Sequence, residues 1–93
     1  MKYLCHMTVT FPRDMTAEDK TRCQAAEKEY SQALQRSGEF EAIYRVVGRY
    51  ANVSLFEVES NERLHQILSG FPMFPYMQIE TIALAAHPNA IAR

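Results

Sequence analysis

The stretch Phe40-Glu41-Ala42-Ile43-Tyr44-Arg45-Val46-Val47-Gly48-Arg49-Tyr50-Ala51-Asn52-Val53-Ser54-Leu55-Phe56-Glu57-Val58 decides the fold. Its two halves, residues 40–47 and 50–58, are rich in β-branched and aromatic side chains, which suit a pleated surface. Gly48-Arg49 separates them and reads as the turn of a β-hairpin. Upstream, Thr16-Ala17-Glu18-Asp19 sets a hydroxyl cap before acids, the signature of a helix start. That helix is expected to reach about Ser37 and stop at Gly38, with an apolar stripe of Cys23, Ala26, Tyr30, Ala33 and Leu34.

Working outward again, residues 2–11 alternate, with Tyr3, Cys5, Met7, Val9 and Phe11 on one face and His6, Thr8 and Thr10 on the other. This is a half-buried strand closed by Pro12. Past the hairpin, Ser60 caps a shorter helix carrying Leu64, Ile67 and Leu68 and ended by Gly70. Phe71-Pro72-Met73-Phe74-Pro75 reads as a rigid apolar loop without regular structure, because two of its five residues lack an N–H. A last strand, about Tyr76 to Ala83, completes the order βαββαβ and leads into a C-terminal tail, residues 84–93, that includes His87-Pro88. That order is the ferredoxin-like α+β plan, an antiparallel sheet with two helices on one face. The opposite face of the sheet is expected to be exposed and apolar in a monomer, which points to a homo-oligomer.

Ninety-three residues make a single domain. Net charge is -1 with no basic cluster, so the footprint of a nucleic-acid binder is missing. No apolar run is long enough for a signal peptide or a membrane span, and a cytoplasmic location is expected. Cys5 and Cys23 form no CxxC pair and read as buried free thiols suited to a reducing cytosol.

His6, His65 and His87 are scattered, so no metal site is expected, and three glycines build no phosphate loop. What remains is acid–base work by a carboxylate without a cofactor. Glu27 borders the apolar stripe, and its neighbours one turn away, Cys23, Gln24, Tyr30 and Ser31, carry no positive charge. A half-sunk carboxylate of this kind acquires a raised pKa and becomes a general base. A solvated boundary glutamate has the same pattern, and the residues alone leave both readings open. Arg45 and Arg49 offer two-pronged donors for a substrate carboxylate, with surface solvation as the alternative. Tyr50 and Asn52 share one parity and can donate to an enolate oxygen. Parity sets the two arginines against them, a conflict that a bulge at Gly48 would resolve. Phe74 and Tyr76 read as core, interface or ligand-contact residues.

Taken together these residues resemble the muconolactone isomerase family over nearly the whole chain. The likeness rests on Met7-Thr8-Val9 with Pro12, Glu27-Lys28, Leu34-Gln35-Arg36 with Gly38, and Arg45 with Gly48. It is most specific at Tyr50-Ala51-Asn52 followed by Ser54 and Phe56, at Phe74-Pro75-Tyr76-Met77, and at His87-Pro88. The resemblance implies a ring-shaped decamer with active sites between neighbouring subunits. It also implies a cofactor-free shift of a butenolide double bond, muconolactone to 3-oxoadipate enol-lactone, in the bacterial breakdown of catechol. Glu27, Tyr50 and Asn52 are then the catalytic candidates, and Gln24, Arg45, Arg49, Phe74 and Tyr76 the substrate-binding ones. The chain departs from the family pattern at Gln24, where a lysine is usual, at Phe40 and Tyr44, where tryptophans are, and at Arg49, where a histidine is common. These departures leave a methylated or chlorinated muconolactone open as substrate, and with it a chloromuconolactone dehalogenase-like activity. A cofactor-free α+β barrel monooxygenase and a non-catalytic ligand-binding domain are the rival readings.

Overall fold

A computed structural model describes residues 1–91. The chain runs β1 (Lys2–Val9), α1 (Ala17–Ser37), β2 (Phe40–Arg45), β3 (Ala51–Glu57), α2 (Asn61–Gly70), a short 3-10 turn (Phe74–Tyr76) and β4 (Met77–Leu84). The expected tail therefore begins one residue later, since Leu84 closes β4, and its last two residues lie outside the described part. All neighbouring strands are antiparallel, in the order β2-β3-β1-β4. Leu34 of α1 and Leu64, Ile67 and Leu68 of α2 share one core with Tyr3, Cys5, Met7, Phe40 and Phe56 of the sheet. The architecture is the ferredoxin-like α+β plan with both helices on one face.

The helix ends follow the caps read from the sequence. Thr16 Oγ1 accepts from the Asp19 N–H at 3.0 Å, and Ser60 Oγ accepts from the Arg63 N–H at 3.0 Å. Phe40 and Phe56 stack at 4.5 Å between ring centres, and Phe71 meets both edge-on. Arg63 clamps Glu39 through two hydrogen bonds of 2.8 and 2.7 Å, tying the start of β2 to α2. That contact holds the Glu39 carboxyl below the usual glutamate value.

Several expectations need correction. The buried stripe of α1 is rotated: Ala26 and Ala33 are exposed, while Ser31 and Leu34 are buried and Cys23, Glu27 and Tyr30 half-buried. Glu27 thus stands inside the stripe instead of at its border. The hairpin turn is longer than Gly48-Arg49, because the Val46 N–H already bonds Ala51 O and the Arg49 N–H bonds Val46 O. Gly48, at φ 81°, fills the third position of that turn, which demands positive φ. The bulge lies between Phe40 and Ala42, not at Gly48. It lets Phe40 pair with Phe56 and, beyond the extra residue, Ile43 with Ser54 and Arg45 with Asn52, so all three face the helices. The segment after α2 is not wholly irregular, since Phe74 and Tyr76 donate to Phe71 O and Met73 O at 2.9 Å and wind a 3-10 turn. Pro75 sits in its first turn, where a missing N–H costs nothing.

The uncovered sheet face is mixed and not simply apolar. Leu4, Val53, Leu55, Ile82 and Leu84 share it with His6, Thr8, Gln78 and Glu80.

Gly70, at the end of α2, lies against Tyr30, whose hydroxyl donates to Ile67 O at 2.7 Å and links the two helices. A Cβ at position 70 would overlap that hydroxyl oxygen. Tyr30 is wedged edge-on against Phe71 at 4.8 Å and has little room to move. Gly70→Ala is therefore expected to destabilise by ~1–3 kcal/mol, less up to ~1 kcal/mol from better helix propensity. In a Tyr30→Phe background the same change should cost distinctly less. A denaturation cycle over the four proteins checks this, and strictly additive effects would contradict the proposed clash.

Candidate active site

A cavity of about 380 Å³ opens between α1 and the hairpin end of the sheet, a size that suits a small organic ligand. Its floor is apolar, with Met7, Val9, Phe40, Phe71, Met73 and Met77 among the lining residues. Its polar groups come from two directions. One is α1, where Gln24, Glu27, Lys28 and Ser31 recur at helical spacing and present one stripe to the cavity. The other is the hairpin, which supplies Arg45, Arg49, Tyr50 and Asn52.

Glu27 is the only carboxylate among the lining residues. Its Oε1 accepts from the Met73 backbone N–H at 2.9 Å. Burial pushes the Glu27 carboxyl above the usual glutamate value, and the Met73 bond opposes that push only in part. Among the described residues no cation stands within ion-pair distance of it. The Cys23 thiol, one turn earlier, is raised by burial and by the charge of Glu27.

The two donor candidates are each held by a neighbour. Gln24 Nε2 donates to the Tyr50 hydroxyl at 3.0 Å, which leaves the phenol's own proton free for another acceptor. Ser54 Oγ donates to Asn52 Oδ1 at 2.6 Å. Arg45 is the direct cross-strand partner of Asn52, so both side chains leave from the same face, and the parity conflict read from the sequence dissolves in the register. Lys28, Arg45 and Arg49 take part in no ion pair among the described residues.

Six of the eight candidate residues are brought together: Gln24, Glu27, Arg45, Arg49, Tyr50 and Asn52. Phe74 and Tyr76 are not brought to the cavity of their own chain. Phe74 is exposed, and Tyr76 packs on Phe11 at 5.5 Å, which in turn packs on Tyr50 at 5.9 Å. Lys28 and Ser31 were not among the site candidates read from the sequence, where Lys28 figured only in a motif and Ser31 only as an uncharged neighbour of Glu27. The spacing of Gln24, Glu27, Lys28 and Ser31 carries the signal. Among the described residues no group of three His, Cys, Asp or Glu side chains is placed to hold a metal ion, and no helix is long and apolar enough to cross a membrane. One raised, unpaired carboxylate opposite hydroxyl and amide donors can move a proton between carbons while negative charge gathers on a substrate oxygen.

The chain is similar to known proteins over nearly its whole length. Residues 1–90 match the model of a family described as muconolactone delta-isomerase. The chain is 50% identical over 91 residues to a muconolactone delta-isomerase of Cupriavidus pinatubonensis, covering 98% of this chain and 99% of that one. It is 45% identical over 91 residues to the enzyme of that name from Acinetobacter baylyi, covering 98% and 95%. A crystal structure of muconolactone isomerase superposes with a TM-score of 0.94 at 44% identity, covering 100% of this chain and 97% of the other.

The environment of Glu27 has a consequence for stability. Because burial favours the neutral form, the folded protein holds this proton more tightly than the unfolded chain does. The stability that Glu27 contributes is full below the ordinary glutamate pKa and is lost as pH rises through the raised folded value. Glu27→Gln, which can still accept from Met73, is therefore expected to gain Tm relative to wild type as pH rises above the ordinary glutamate range. A Tm difference that does not change as pH rises from acid to neutral would contradict the assignment.

Proposed function

Because this chain belongs to the muconolactone delta-isomerase family, we propose that it moves the ring double bond of muconolactone or a substituted analogue, with Glu27 as the proton carrier. The observation that carries this reading is a half-buried carboxylate, raised by burial and with no counter-ion among the described residues, in one cavity with Tyr50 and Asn52 over an apolar floor. Ionised Glu27 takes the proton from the ring carbon that bears the carboxymethyl arm. The electron pair left behind spreads over the ring onto the lactone carbonyl oxygen, giving an aromatic furanolate. The Tyr50 O–H and the Asn52 amide stabilise that oxygen where charge develops. The Glu27 carboxyl then returns its proton to the carbon next to the carbonyl, and the carboxylate is regenerated. Every atom is accounted for without a cofactor.

The substrate's own carboxylate needs a cation on leaving water, and the cavity offers Arg45, Arg49 and Lys28. Arg45 shares the face of Asn52 and is the first choice. The protein works in the cytoplasm as a homo-oligomer, on the resemblance a decamer, whose subunits cover the exposed Tyr44 and Val47 near the hairpin tip. Light scattering reads the assembly directly, and a stable monomer would exclude it.

Glu27→Gln should keep the fold and lower kcat by ~10²–10⁴-fold, the usual contribution of a positioned acid–base group. In wild type, kcat/KM should fall on acidification with a midpoint above the ordinary glutamate value, the direction in which burial moves this group. Full turnover in the variant, measured as loss of muconolactone absorbance, would rule out the carboxylate mechanism. Arg45→Met should raise KM for the acid more than for its methyl ester, with a smaller effect on kcat. Should Arg45→Met and Arg49→Met both leave the ratio of acid to ester unchanged, the carboxylate is held elsewhere.

A further inference from the structure

Ser54 lies at the centre of β3, wholly buried, with Cys5 of β1 and Ile43 of β2 as its direct cross-strand partners. The same face carries Tyr3, Met7, Phe40 and Phe56, so an apolar residue is the ordinary choice for this position. A buried hydroxyl is unfavourable unless bonded. Among the described residues the only side-chain bond this one makes is local, to Asn52 Oδ1 at 2.6 Å. Stability of the core does not call for a serine here.

A hydroxyl can also accept, so this bond orients the Asn52 carboxamide only while Ser54 is the donor, as it is in this structure. A carboxamide has an acceptor end and a donor end of nearly the same shape, and a half-turn exchanges them. Asn52 lines the cavity, and its oxygen is engaged by Ser54. The Nδ2 end is the one left to face a ligand. Turned the other way, Asn52 would aim a carbonyl oxygen at the point where negative charge develops, which opposes the reaction. We propose that Ser54 is a positioning residue: its hydroxyl holds the Asn52 carboxamide with the NH2 toward the cavity, as an oxyanion donor. The role rests on the reading of Asn52 given above. It acts on the transition state more than on substrate binding, because the oxygen carries most of its charge only once the proton has left.

The test compares wild type, Ser54→Ala, Asn52→Ala and the double variant by steady-state kinetics and thermal melting. Asn52→Ala should lower kcat by ~10²–10³-fold, as for loss of one oxyanion donor. Ser54→Ala should lower kcat by roughly tenfold, the effect of releasing one hydrogen bond of ordinary strength. KM should hardly move, and Tm should hold or rise, since a buried hydroxyl is removed. In the Asn52→Ala background, Ser54→Ala should cost nothing further. Ser54→Cys, which keeps the side chain's shape with a much weaker donor, should reproduce the kcat loss and serves if the alanine variant packs poorly. Full kcat in both Ser54 variants, or an undiminished Ser54 effect without Asn52, would overturn the positioning role alone. A silent Asn52→Ala would overturn the oxyanion role of Asn52 together with it.

Discussion

The Glu27 carboxylate, with no counter-ion among the described residues, sits on the inner face of α1, held by one backbone N–H from the segment that follows α2. The other parts of the site are arranged around that contact. A charge in this position is unfavourable unless hydrogen-bonded, and one bond only partly compensates for lost water. The Met73 amide is held in turn by its chain neighbours: Phe71 is buried in the core, and the bond from the Tyr76 N–H to Met73 O closes the 3-10 turn. Pro72 and Pro75 narrow the conformations open to this segment. The rigidity of an apolar corner thus becomes the proton affinity of a side chain on another element.

The opposite wall depends on strand register. Without the extra residue between Phe40 and Ala42, Ile43 and Arg45 would point away from the helices while Phe40 stayed in the core. The bulge lets one short strand feed both the aromatic stack and the cavity. At the far end of the hairpin, the turn around Gly48 brings Arg49 and Tyr50 back over the cavity mouth before β3 begins.

Much of this was legible in the residues. The caps at Thr16 and Ser60, the alternation of β1 and the helix stop at Gly38 each report a local backbone requirement, and each stands as read. The bulge was not legible, because β2 has apolar residues of both parities, Phe40 and Ala42 against Ile43, and a shift of one leaves no break in the pattern. The turn length was hidden because Val46 and Val47 look like strand. On α1 the alanines misled, since alanine fits a buried or an exposed helix face equally, and the inner stripe turned out to be partly polar. Glu27, Tyr50 and Asn52 could be chosen by chemistry. That Gln24 and Ser54 hold the last two is a matter of three-dimensional contact, and no spacing announces it.

The donor to Glu27 is a main-chain atom, and this bears on how the site can change over generations. Nineteen of the twenty amino acids carry the same N–H, so the side chain at position 73 can vary while the bond to Glu27 persists; only proline would abolish it. Methionine there is free to serve the shape of the cavity, whose floor also holds Met7 and Met77, side chains that adapt readily to irregular volumes. The shape of the floor can therefore change through position 73 while the bond that holds Glu27 stays as it is.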